Sequence, residues 1–150
     1  MIYRLLGRTG PSLRARIWRV TIRLGIRRLR GPRWHQRGAY GLRAGRELLH
    51  VSPYYGANRA ETVLGKALRG IGRARYLLAT KVGRYGDEDF DFSAERAKHS
   101  VRESPDRLGT DHVDLIQCHD IEFGDLDQIV EETLPALREL QDAGLAASSA

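Results

Sequence analysis

Three polar side chains stand where apolar runs end. Tyr55 closes the stretch HVSPYYG (50–56), Lys81 sits in ATKVG (79–83), and His119 ends HVDLIQCH (112–119). A phenol, an ammonium and an imidazole can together move a proton to or from a carbonyl oxygen. A free phenol ionises near ~10, too high for ready transfer at neutral pH. A nearby ammonium favours the phenolate, and an imidazole can hydrogen-bond a carbonyl and orient it. Such a set suits protonation of the alkoxide formed when a carbonyl accepts hydride, or the reverse oxidation of an alcohol. No side chain delivers hydride, so the chemistry implies a redox cofactor. Each residue alone has a blander reading, as a surface lysine or a hydrogen-bonded core histidine. The case for a site rests on three such groups at equivalent places.

The elements that must position them are legible from Val51 onward. A short apolar run, 48–51, is stopped by Pro53, which lacks an N–H and fixes φ. Asn58 with Glu61 three residues later reads as a capping box, and Ala60, Val63, Leu64, Ala67 and Leu68 repeat along one helical face. A nearly continuous apolar strand follows at 76–82. Ser93 opens a second helix with Ala94, Ala97, Val101 and Leu108 inward, interrupted by Pro105 at a cost of ~3 kcal/mol. After a third strand, Asp125 and Gln128 start a helix predicted to bury Ile129, Val130, Leu134, Leu137 and Leu140, to bend at Pro135 and to stop at Gly144. Strand–helix alternation with buried strands predicts parallel β/α units, whose ligands sit beyond the strands' C-terminal ends. No GxGxxG follows a strand and no GxxxxGK[ST] occurs, so a nucleotide-binding open sheet has no support.

Charge divides the 150 residues unevenly. Residues 1–50 hold thirteen arginines, no lysine and one acid, Glu47, a formal +12 that residues 51–150 offset with −6 to give the chain's +6. The division predicts an Arg-rich segment, 1–50, poorly ordered, followed by a β/α domain, 51–150. An Arg-rich arm could bind nucleic acid or an acidic surface through counterion release, or serve as a transit peptide. Both readings rank below a segment that encodes no settled structure. The single cysteine, Cys118, allows no internal disulfide and reads as a packing thiol. No apolar run approaches the ~18 residues of a membrane span. The expectation is a cytoplasmic protein with no membrane partner and a small-molecule substrate. His119, Asp120 and Glu122 lack a second histidine at ligand spacing, so no metal is expected.

Several long blocks carry a family resemblance: SPYYG, ETVLGKAL, ATKVGRYG, FDFSAER and DHVDLIQCHDIEFGDLDQIVEETLPAL. In this order they resemble the aldo-keto reductases, and CHDIEFG is most similar to the L-galactose dehydrogenase-like members. The resemblance covers 51 to about 144, and LLGRTG at 5–10 resembles that family's opening hairpin. It implies a (β/α)8 TIM barrel, here partial with about three β/α units. It also implies NAD- or NADP-dependent oxidoreduction of an aldose or other carbonyl or alcohol. By the same resemblance Tyr55 is the proton donor, Lys81 the ammonium that assists it and His119 the residue that orients the carbonyl. Tyr54 is expected to wall the pocket.

Three departures from the pattern stand out. The family's aspartate five residues before the tyrosine, which pairs with the lysine, is replaced by His50. Residues 11–50 do not resemble the expected first strand, helix and second strand, as though a reading frame had shifted. Residues 145–150, LAASSA, do not resemble the family's next strand. The cofactor-binding residues are then expected in a missing C-terminal half, and the chain is expected to be an inactive, truncated fragment. The rival reading is a basic-arm binding module on a β/α scaffold.

Overall fold

The structure, a computed structural model, describes residues 3–5, 12–14, 17–19 and 48–149. Strands β1 (Tyr3–Leu5) and β2 (Ser12–Arg14) pair antiparallel. Five further strands form one parallel sheet: β3 (Ile17–Arg19), β4 (Leu48–His50), β5 (Leu77–Val82), β6 (Val113–Cys118) and β7 (Ala146–Ser149). Their order in the sheet is their order in the chain. A doubly wound sheet reverses order at a switch point, whereas a barrel adds each strand beside the last. The arc is therefore part of a (β/α)8 barrel, as expected. Helices α1 (Arg59–Leu68) and α2 (Ala94–Leu108) and the helical stretch 126–142, here α3, form the three crossovers between β4 and β7. Among the described residues no helix is long and apolar enough to cross a membrane.

Period-two alternation along the strands builds two apolar layers. Leu49, Val51, Leu78, Val82 and Ile116 point to the helices, where they meet Leu64, Val101 and Leu137 in the main core. Leu48, Ala79 and Leu115 point to the other side and form a small inner cluster. Fully burying a Leu or Val side chain contributes about 1.5–3 kcal/mol, so the main core dominates the fold's stability. Gly65 lets α1 approach α2, because a Cβ there would lie 2.5 Å from the Arg107 carbonyl oxygen.

Several sequence expectations change. The capping box at Asn58 does not form: Asn58 adopts a left-handed backbone (φ 64°) and its side chain makes no cap hydrogen bond. Its partner Glu61 is fully buried, bound instead to β5 and α2. Pro105 does not break α2, which runs from Ala94 to Leu108. The proline is buried, and its carbonyl accepts from the N–H groups of Gly109 and Thr110. Pro135, expected to bend α3, stands in the first turn of its last part, Leu134–Asp142. The turn before it widens, so that Leu134 N–H donates to the Ile129 carbonyl five residues back. Val130 and Leu134, expected inside, are 60% and 39% exposed, and Thr133 and Ala136 take the inward positions.

Two of the segments set outside the resemblance contain strands of the sheet. Ile17–Arg19 pairs in parallel with β4, and Ala146–Ser149 forms the strand beyond β6 that the sequence LAASSA did not suggest. Alanine and serine have low strand propensity. The pairing is imposed by the exposed edge of β6 and by Val113 N–H donating to Leu145 O at 3.3 Å. The rest of the basic segment, and with it the nucleic-acid and transit-peptide readings, lies outside the described residues.

Candidate active site

The three residues singled out from sequence meet at the C-terminal ends of β4, β5 and β6. Val51 continues β4 by donating its N–H to Ala79 O at 2.9 Å, and a tight turn then carries the chain to α1. Tyr55 N–H donates to Ser52 O at 3.1 Å, and Asn58 N–H to Pro53 O at 2.8 Å. Gly56, Ala57 and Asn58 are successively left-handed, with φ of 67°, 50° and 64°. A left-handed residue with a Cβ costs roughly 1–2 kcal/mol, so the strain is concentrated directly behind Tyr55.

Lys81 occupies the inward side of β5, opposite in direction to Thr80. Its Nζ donates to Tyr55 Oη at 3.1 Å and lies 5.3 Å from the centre of the Tyr55 ring. Among the described residues no carboxylate lies within ion-pair distance of Lys81. His50 stands two positions back on the neighbouring strand, in register with Ala79, and its ring meets Tyr55 edge-on at 6.4 Å.

His119 prolongs β6 by donating its N–H to Val82 O at 2.9 Å, which places its ring 5.5 Å from that of Tyr55 at 85°. It is 5% exposed. Burial, followed by the Lys81 charge, lowers its pKa to about 4, so the imidazole is neutral at physiological pH. Its Nδ1 contacts Ser52 Oγ at 3.1 Å.

Tyr54 lies beside these rings, 5.8 Å from His119 and 6.1 Å from Tyr55 between ring centres. Its hydroxyl donates to Asp87 Oδ1 at 3.0 Å, and this hydrogen bond raises its pKa above that of an ordinary phenol. Of the adjacent tyrosines, Tyr54 thus has its proton committed to a carboxylate, and Tyr55 is the one whose hydroxyl oxygen accepts from an ammonium. Arg84 stacks on Tyr54 at 3.9 Å and donates to Asp120 Oδ2 at 2.6 Å. Burial works against ionisation of Asp120, but the Arg84 hydrogen bond and the neighbouring charges hold its carboxyl below the usual range.

Sequence reasoning missed Ser52, Arg84 and Asp120 as members of this cluster. Ser52 had a signal, a small hydroxyl just past a strand end and three residues before the tyrosine. The loops that carry Arg84 and Asp120 are held by Phe92, 3% exposed, which packs between Gly83 and Gly124. A Cβ at Gly83 would lie 2.2 Å from the Phe92 ring, and one at Gly124 2.5 Å away. Cys118 packs partly buried against the main core, and burial pushes its thiol pKa up.

The donor set fits the reacting end of a nicotinamide cofactor: a phenol, a cation and a neutral imidazole converge on one place. The loop after β5 carries Asp87, Glu88, Asp89 and Asp91, acidic groups that do not suit the cofactor's phosphates.

The aldo/keto reductase family matches residues 38–150, including 38–50 and 145–150, which sequence reading had set apart. Over 104 residues the chain is 53% identical to an L-galactose dehydrogenase of Arabidopsis thaliana, covering 68% of this chain and 32% of the relative. It is 37% identical over 110 residues to a D-arabinose 1-dehydrogenase of Saccharomyces cerevisiae, covering 71% and 32%. The holo form of an aldo-keto reductase from Bacillus halodurans superposes with a TM-score of 0.81 at 29% identity, over 99% of this chain and 49% of that one. The matched part thus spans about a third of the length of these curated relatives.

Proposed function

The chain belongs to the aldo/keto reductase family, and on that premise we propose that the Tyr55–Lys81–His119 site couples proton transfer to NAD(P)-linked hydride transfer at the carbonyl carbon of an aldose. The observation that carries this reading is Lys81 Nζ donating to Tyr55 Oη at 3.1 Å, beside the ring of a neutral histidine. Relatives named as L-galactose and D-arabinose dehydrogenases support the substrate class.

Bound NAD(P) supplies the hydride in reduction and accepts it in oxidation. In reduction, the carbonyl oxygen gains negative charge as its carbon gains hydride. Tyr55 gives its hydroxyl proton to that oxygen, and Lys81 stabilises the phenolate left behind. His119 donates a hydrogen bond to the same oxygen and holds it near Tyr55. Because this imidazole stays neutral, it orients the oxygen without competing as the acid. In sugar oxidation, Tyr55 as phenolate takes the proton of the anomeric hydroxyl while the hydride leaves the same carbon.

His50 weakens the site. A histidine does not supply the fixed negative charge that an aspartate would, and Lys81 has no carboxylate partner among the described residues. We expect turnover of the native chain with L-galactose and saturating NAD or NADP, followed by nicotinamide absorbance, to be at background. His50→Asp is expected to raise it at least tenfold above background, and adding Tyr55→Phe to remove the gain. Robust turnover of the native chain overturns the proposed inactivity. Turnover that survives Tyr55→Phe overturns the role given to Tyr55.

A further inference from the structure

We infer that Ser52 is a positioning residue that fixes the tautomer of His119, donating its hydroxyl proton to Nδ1 so that the ring proton sits on Nε2. Ser52 is fully buried, so bulk solvent does not reach its hydroxyl. Serine has one proton to give and two lone pairs to accept with. One lone pair takes the N–H of Tyr54 at 3.2 Å. Among the described residues, the acceptor within reach of the hydroxyl proton is His119 Nδ1 at 3.1 Å. Were Nδ1 protonated, Ser52 Oγ would accept twice and its own proton would be stranded in the interior.

The opposite edge of the ring gives an independent reason. Nε2 lies 3.5 Å from Asp120 Oδ1, a carboxylate oxygen that only accepts. A lone pair on Nε2 would face that negative charge, whereas an N–H is attracted to it. Asp120 is itself held in place by Arg84, which stacks on Tyr54. Both edges of the imidazole therefore select the same tautomer.

The arrangement also ties His119 to the loop of Tyr55. Ser52 Oγ bridges the histidine ring and the backbone of Tyr54, the residue next to the proposed proton donor. The loop that carries the phenol thus sets which nitrogen of the imidazole carries the proton. The consequence rests on the proposed function: the Nε2–H is the donor that would meet a substrate oxygen. The tautomer assignment itself does not depend on turnover.

The test is a long-range proton–nitrogen correlation spectrum of the nitrogen-15-labelled full chain at pH 7, with the His119 signals identified by their loss in His119→Gln. We expect Nδ1 to resonate as a lone-pair nitrogen and Nε2 as a protonated one. In Ser52→Ala the two shifts are expected to move towards each other as the tautomers mix. A protonated Nδ1 in the native chain overturns the inference, as does a folded Ser52→Ala chain with unchanged shifts. The native spectrum decides the assignment even where the variant does not fold. A chain with no dehydrogenase activity but the expected spectrum would sink the proposed function and leave this inference standing.

Discussion

Thr80 and Lys81 are neighbours on β5 and point to opposite faces of the sheet, and the polar clusters they enter are built in opposite ways. Thr80 joins a closed cluster. The fully buried Glu61 accepts from Thr80 Oγ1 at 2.5 Å, Ser104 Oγ at 3.0 Å and Arg107 Nε at 2.6 Å. Among the described residues, every partner of that carboxylate comes from an element it must hold: β5 or α2 against α1. Lys81 joins an open cluster, where a cation meets a phenol beside a neutral imidazole and makes no ion pair with a carboxylate among the described residues. The first arrangement neutralises its charge within the fold. The second leaves charge to be used on whatever sits beyond the strand ends. Sites of chemistry are commonly less well satisfied than the scaffold, because preorganisation for a reacting group conflicts with internal pairing.

The largest effect expected from this contrast is on the closed side. Arg107→Ala leaves the Glu61 carboxylate buried without its cation and is expected to cost about 3–5 kcal/mol, read as a lower urea midpoint. A loss below about 1 kcal/mol would erase the distinction between the clusters. A second, intermediate effect concerns His119. Its pKa is lowered to about 4 in the fold by burial and by Lys81 and Arg84, against Asp120 and Glu122, and lies near ~6.5 in the unfolded chain. Between those values the unfolded state binds more protons, so acid favours unfolding. The stabilisation is therefore present above about pH 6.5 and is lost as pH falls towards about 4. Urea midpoints measured across that window should drop more steeply for the native chain than for His119→Gln, and parallel slopes would refute the depressed pKa. The smallest effect belongs to Lys81→Met, expected to shift stability by less than about 1 kcal/mol in either direction because it breaks no ion pair among the described residues. A large loss there would mean that Lys81 is part of the scaffold.

Legibility from sequence followed the same division. Tyr55, Lys81 and His119 were readable because strand ends are marked by composition, and a polar group at the end of an apolar run is conspicuous. Glu61 was misread. At the third position after Asn58 it has the spacing of a capping box, and only the left-handed backbone at Asn58 turns that cap away. The rotation of α3 was also ambiguous, because it carries two apolar stripes. Leu126, Val130 and Leu134 form one; Ile129, Ala136, Leu137 and Leu140 form the other with Thr133 among them. The buried hydrogen bond from the Thr133 hydroxyl to the Phe92 carbonyl selects the second. Local periodicity could not contain that choice, since Phe92 lies on a different loop.

By itself, the sequence determined the alternation of strands and helices after residue 48, the family, and the three residues that converge at the strand ends. Those features follow from short-range patterning: the period of the apolar residues, the breakers between them and the contiguous blocks that carry the resemblance. The tertiary structure decided that Ala146–Ser149 pairs as a strand, that Glu61 is a buried anchor, and that Ser52 and Asp120 bracket the imidazole of His119. Each of these depends on a partner far away in the chain. Neither a strand edge, a buried counter-charge nor a hydrogen bond between loops has a local signature until the chain has folded back on itself.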